Sequence, residues 1–356
     1  PHRSSDSILH LTPKPTIVTP HVSGQTEDTL CNHINTRLFC RLPSIIPSMA
    51  TRFHSISLAF FSILLSFLLP LSGGQDPFSS VTYHGGPLLS SPTVNIYIVW
   101  YGAFSLYDRT TVVDFFQSIN TRNPKEPSVS TWWKATNNYK DRRGVSVSRN
   151  VHVAKQVGDI YSLGKALNRS QIADVVMGRM KAKKLPVDRN GVYLVLTSKD
   201  VKVERFCMSS CGFHDEFVVL GKRLVYGHVG NPAAQCPGMC AWPYAVPAYG
   251  PPGGPLVAPN GVGLDGMIIN MATVIAGAAT NPFKNGYYQG DQAAPLEAVS
   301  ACTGVFGEGA YPGYAGELLL SSTNASFNCF GDNGKMFLVP AIWDLRTGTC
   351  QVVGKM

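Results

Sequence analysis

From Val94 to Trp100 the chain reads VNIYIVW, a β-branched and aromatic run bounded by Pro92 and Gly102. A run that short, apolar at consecutive positions, predicts a buried strand. The spacing then shifts from two to three-and-four. TVVDFFQSI (111–119) and VSTWWKATNNY (129–139) gather apolar side chains on one side of a helix, the second with Ser128 or Ser130 available as its cap. A strand over Val151–Val157 follows, then a helix over Gln171–Lys184 capped by Ser170 and halted before Pro186, then the strand GVYLVLT from Gly191 to Thr197. Strand–helix–strand order predicts an α/β fold with a mixed or parallel central sheet flanked by helices.

Beyond a cysteine-rich region, Pro237 to Pro259 is dense in Pro and Gly, an apolar helix is expected from about Asp265 to Ala279, and late strands at Glu317–Leu320 and Met336–Ala341. The Pro/Gly stretch has a linker's composition. Cysteine pairs adjoin it, however, and the later strands are too few for a core of their own. Residues 75–356 are therefore expected to form a single domain with a long ordered loop.

The front of the chain has a different pattern. ISLAFFSILLSFLLPL (56–71) is an uncharged apolar run of 16, preceded by Arg52 and His54 and followed by Ser72, Gly73 and Gly74. That is the layout of a signal peptide starting at Met49 and cleaved before Gln75, too short for a comfortable membrane span. Residues 1–48 lack hydrophobic periodicity and are expected to be disordered leader outside the fold. Export leaves no stable membrane anchor.

Charged residues make up only 15% of the chain, against 34 Gly and 25 Pro, which disfavours coiled coils and helical arrays. The formal charge is +8, and removing residues 1–75, with five basic and three acidic residues, leaves about +6. The basic residues are scattered, densest at 140–143 and 181–184, with no nucleic-acid motif beside them. A mildly cationic surface suits an anionic polysaccharide at least as well as nucleic acid.

Cys31 and Cys40 precede the expected cleavage point, leaving Cys207, Cys211, Cys236, Cys240, Cys302, Cys329 and Cys350. In an oxidising compartment six would form three bridges, in any of 15 pairings, and Cys329, in the polar loop NASFNCFGDNG, is the expected free thiol. The alternative is zinc held by the two close Cys pairs with His214 and His228. Asn168 and Asn324 begin N-glycosylation sequons.

Three odd stretches coexist: FCMSSCGFH, QCPGMCAWPYAVPAYGPPGGPLVAPNGVGLDGMI and TNPFKNGYYQGDQAAPLEAVSACTGVFGEGAYPGYAG, with the ending FLVPAIWD…TC. Together they resemble the EXORDIUM/phosphate-induced family of plants, from about Thr82 to Cys350. The resemblance implies an extracellular apoplast or cell-wall protein tied to cell expansion, growth and brassinosteroid or nutrient responses. It also implies six family cysteines, from which SFNCFG around Cys329 departs. Some relatives carry a metalloprotease-like His-Glu helix before Thr-Asn-Pro. Here that helix reads INMATVIAGAATNP, with Thr273 and Val274 at the expected His and Glu positions and Gly277 where a further acid could lie. A zinc hydrolase needs ligands and a base that these cannot supply.

Other chemistry is sparse. Asp265 and Glu297 form a candidate carboxylate pair for a glycan. Trp132 and Trp133 point about 100° apart on a helix and so cannot share one flat sugar-stacking face. NPFKNGYYQGD offers Tyr287, Tyr288 and Gln289 as ligand contacts in a recognition loop. The expectation is a non-catalytic protein that takes no cofactor and binds cell-wall polysaccharide or an extracellular protein, not nucleic acid. The alternative is a secreted hydrolase with a cryptic metal or carboxylate site.

Overall fold

The computed structural model of the protein describes residues 80–355 other than Ser209 and Pro252. The expected leader and signal peptide, with Cys31 and Cys40, lie outside the described residues. After the short strand β1 (Thr82–Tyr83) comes β2 (Thr93–Tyr101), then helices α1 (Leu106–Ser118) and α2 (Val129–Lys134). Next are β3 (Asn150–Asp159), β4 (Ala166–Leu167), α3 (Arg169–Lys181), β5 (Gly191–Thr197) and β6 (Lys202–Val203). The hairpin of β7 (Gly212–Val219) and β8 (Lys222–Gly230) precedes the one-turn helix α4 (Pro237–Cys240) and the long α5 (Val262–Thr280).

The central sheet runs in the order β3-β2-β5-β8-β7, parallel except for β7, which pairs antiparallel with β8 at one edge. This is the mixed sheet expected of a strand–helix alternation that ends in a hairpin. One face, with Ile96, Ile98, Leu194, Leu196, Val225 and Val229, is covered by α1, α2 and α5. The other, with Tyr97, Val99, Tyr193, Val195 and Tyr226, is covered by Ile172, Val175 and Val176 of α3. β2 and β5 are buried on both faces, which is why they read as continuous apolar runs.

The helix over 106–118 starts one turn before the expected position because Ser105 and Asp108 form a reciprocal capping box. Asn168, not Ser170, caps α3: its carboxamide accepts from Gln171 N–H while the Gln171 side chain accepts from Asn168 N–H. Both Trp132 and Trp133 are core residues, their indole N–H groups donating to Pro340 O at 2.8 Å and Ser148 O at 3.0 Å. The β7–β8 hairpin has no expected counterpart, because its turn is Leu220-Gly221 and not one of the Asn-Gly or Asp-Gly pairs that announce a hairpin.

Beyond α5, β9 (Tyr287–Tyr288) pairs with β1. Two-residue strands β10 (Leu319–Leu320) and β11 (Ser326–Phe327) pair, as do β12 (Cys329–Phe330) and β13 (Met336–Phe337). Then β14 (Ile342–Asp344) pairs with β15 (Thr349–Gln351). The late strands expected over 317–320 and 336–341 are thus much shorter. They are stapled rather than layered: Cys302 bridges to Cys350, while Cys207–Cys236 and Cys211–Cys240 fasten β7 to the α4 segment. Cys329 is a free, buried thiol.

Candidate functional site

Helix α5 is apolar nearly all round and buried along its length. It is long and apolar enough to cross a membrane, yet it is a core helix. Such a helix can lie on a sheet only where the sheet gives it room, and glycines provide that room. The Val274 methyls sit over Gly212 and Gly227, where an added Cβ would come within 2.9 and 2.8 Å of them. Position 274 is therefore an apolar contact between α5 and the hairpin. Thr273 returns its hydroxyl to Ile269 O at 3.1 Å.

One turn on, at Gly277, three polar side chains meet. His214 on β7 places Nε2 2.9 Å from both oxygens of Glu297, and Asn281, just after α5, donates from Nδ2 to Glu297 Oε1 at 2.7 Å. The side chains of His214 and Glu297 are 8% and 12% exposed, and Asn281 is fully buried. A carboxylate can only accept, so Nε2 is the donor to Glu297; among the described residues the buried Nδ1 has no partner. Asn281 Oδ1 in turn accepts from Gly286 N–H at 2.7 Å. Ser300 Oγ accepts from Glu297 N–H at 2.7 Å, so the backbone on both sides of the cluster is held. A Cβ at position 277 would lie 2.2 Å from Glu297 Oε2 and 3.2 Å from His214 Nε2. The carboxylate occupies the space a side chain at 277 would need.

Several expected partners are kept apart. His214 and His228 lie on neighbouring strands, but His228 registers with Phe213, so the two rings are on opposite faces of the sheet and cannot share a metal. His228 is buried against Phe206 and Phe213, with Nε2 2.9 Å from Thr197 Oγ1. Burial, with the nearby Arg169 cation, pushes its pKa down to about 3, so it is neutral. The zinc alternative fails on the cysteines as well, since all four of them are in disulfides.

Asp265 and Glu297 are not a glycosidase pair. Asp265 begins α5, and Gly277, against which Glu297 lies, is twelve residues further on, roughly 18 Å along the axis. Inverting and retaining glycosidases hold their carboxyl groups within about 10 Å. Asp265 is buried in the first turn of α5 and accepts from Asn260 N–H and Nδ2 at 2.7 and 2.8 Å, which ties the preceding loop to the helix. Burial raises its pKa to about 7 against those hydrogen bonds.

Tyr287 and Tyr288 belong to the core and do not form an open recognition loop. Their rings stack on Tyr83 and His84, and Tyr287 Oη donates to Lys140 O at 3.0 Å. Gln289, half-buried, pairs its backbone with Leu296. Asn168 and Asn324 are both exposed. Asn281 was missed from sequence; its signal is the Asn-Pro step that ends the apolar helix.

Residues 81–353 match the family model for the phosphate-induced protein 1 conserved region. The chain belongs to the EXORDIUM/phosphate-induced family. It is 46% identical to Protein EXORDIUM of Arabidopsis thaliana over 295 residues, which covers 78% of this chain and 91% of that protein. It is 45% identical to Protein PHOSPHATE-INDUCED 1 of Nicotiana tabacum over 291 residues, covering 78% and 90%. Protein EXORDIUM-like 2 of Arabidopsis thaliana is 46% identical over 282 residues, covering 76% and 88%. No solved structure matches the chain. Within this EXORDIUM-family domain, His214 and Asn281 are joined through the Glu297 carboxylate into one buried hydrogen-bonded cluster. It can orient α5 against the hairpin, and both carboxylate oxygens are already engaged.

Proposed function

We propose that this EXORDIUM-family protein is exported to the plant apoplast, where it binds wall polysaccharide or an extracellular protein and modulates cell expansion without catalysing a reaction. The observation that carries this reading is the seating of Glu297 in the space left by Gly277, with both oxygens hydrogen-bonded and the Val274 methyls packed over Gly212 and Gly227. On this reading an ancestral, metalloprotease-like centre has been filled by internal contacts, and the scaffold serves recognition. Three disulfides fit an oxidising compartment.

The test is to express the full chain in plant cells and assay the apoplastic wash and the washed wall fraction. Recovery of a chain beginning near Gln75, retained on walls and released by salt, supports the proposal. Retention inside the cell, or purified protein that hydrolyses wall polysaccharide and loses that activity in Glu297→Gln, overturns it.

A further inference from the structure

A separate concavity has none of the His214, Glu297 and Asn281 side chains in its lining. It lies between the end of α2 with its following turn and the β14–β15 hairpin, and encloses about 670 Å³. Lys134, Lys140 and Arg346 line it with Asp344, a net of two positive charges, and Thr131, Asn138 and Gln351 add neutral hydrogen-bonding groups. Asp344 is buried, accepts from Arg346 N–H at 2.8 Å and faces the Arg346 guanidinium at 3.5 Å. Among the described residues neither lysine has a carboxylate within 4 Å. Their charge is therefore available to a ligand.

The walls are fixed. Tyr139 Oη donates to Trp343 O at 2.6 Å, joining the two sides beneath the cleft. Tyr287 Oη holds Lys140 O from below, and the Cys302–Cys350 bridge anchors the residue beside Gln351. Rigid walls mean that a ligand need not order the site on binding.

We infer that this cleft binds the carboxylates of an acidic oligosaccharide, the uronic-acid polymer class, through Lys134, Lys140 and Arg346. The volume is that of a site for a ligand of several rings, far larger than one small anion fills. The mixture of cations with hydroxyl and amide groups matches a chain that carries carboxylates and hydroxyls together. No aromatic ring lines the cleft among the described residues, so a nucleobase would have nothing to stack on. The inference rests on the wall-binding reading above and gives it a surface.

The experiment is calorimetric titration of the purified protein with galacturonic-acid oligomers, and with neutral glucose oligomers of the same length, at 50 and 300 mM NaCl. Binding of the acidic oligomer is expected to weaken severalfold at the higher salt. It should weaken tenfold or more in Lys134→Gln/Lys140→Gln and severalfold in Arg346→Gln. These side chains are exposed, and an unchanged urea midpoint will show that the variants fold. Equal affinity for the neutral oligomer, an unaltered affinity in the double variant, or full displacement by equimolar inorganic phosphate would each overturn the assignment. If the protein holds to whole walls but the double variant holds equally well, only the cleft is wrong. If neither walls nor an extracellular protein retain it, the wider reading fails too.

Discussion

At Gly277 a single hydrogen atom leaves room for a carboxylate. Gly277→Ala would put a methyl 2.2 Å from Glu297 Oε2, so the acid must swing off His214 and Asn281. The expected loss is about 1–3 kcal/mol, the usual cost of overpacking a closed site. In a Glu297→Ala background the same change should be neutral or stabilising by up to about 1 kcal/mol, because alanine is the better helix former. A double-mutant cycle by urea unfolding reads this coupling. An equal penalty in both backgrounds would mean that the obstruction at 277 is something other than Glu297. The residue-scale site was only half legible in sequence. Gly277 stood out from the family pattern, but the carboxylate that fills its space comes from twenty residues later and the histidine from a different sheet strand.

Among the elements, the β7–β8 hairpin turns through Leu220 (φ +49°) and Gly221 (φ +69°). Two left-handed residues suit the twist of a tight hairpin, and glycine adopts that conformation freely. Leucine does not, and Leu220 is 85% exposed, so packing gives little back. Leu220→Asn should therefore raise stability by about 1 kcal/mol, seen as a higher urea midpoint with an unchanged slope. Helix α3 allows capping to be separated from glycosylation. Asn168→Ala removes both the cap and the sequon, at about 1 kcal/mol of stability. Ser170→Ala removes the sequon alone, leaving the Asn168 carboxamide on Gln171 N–H. If Asn168 carries a glycan, both variants lose the same mass, but only Asn168→Ala loses stability of the deglycosylated protein.

For the molecule as a whole, two buried groups oppose each other as pH falls. His228, at about 3, is depressed below its ordinary value, so the unfolded chain takes up the proton first and stability falls from pH 6.5 downwards. Asp265, at about 7, is raised, so the folded chain takes up the proton first and stability grows as pH falls from 7 towards 4. Between pH 7 and 5 each effect is worth about 2 kcal/mol, at 1.36 kcal/mol per pH unit, and they offset. The wild type should thus vary little over that range. His228→Gln should gain about 2 kcal/mol on acidification, and Asp265→Asn should lose about as much, both read from urea midpoints at pH 7 and 5. Parallel slopes in the two variants would refute the assignment. Burial also pushes the Cys329 thiol well above its ordinary value. Protein from which residues 1–74 have been removed should show no rapidly titrating thiol when native, and one when unfolded without reductant.

The sequence alone determined what is local or repeated along the chain. A doubly buried strand must be apolar throughout, so 94–100 and 191–197 were plain, and the order of strands and helices implied the mixed sheet. Composition alone made α5 an apolar helix. What closes only across long loops was decided by tertiary structure. Alternation along β7 and β8 sends His214 and His228 to opposite faces, a separation that depends on hairpin register and not on sequence proximity. Burial of Tyr287 and Tyr288 depends on β1, some 200 residues earlier, folding back to cover them. The rise of α5 separates Asp265 from Glu297. The cationic cleft joins Lys134 and Lys140 to Arg346 only because a buried tyrosine and a disulfide hold the chain's last hairpin against the end of a helix laid down two hundred residues before it.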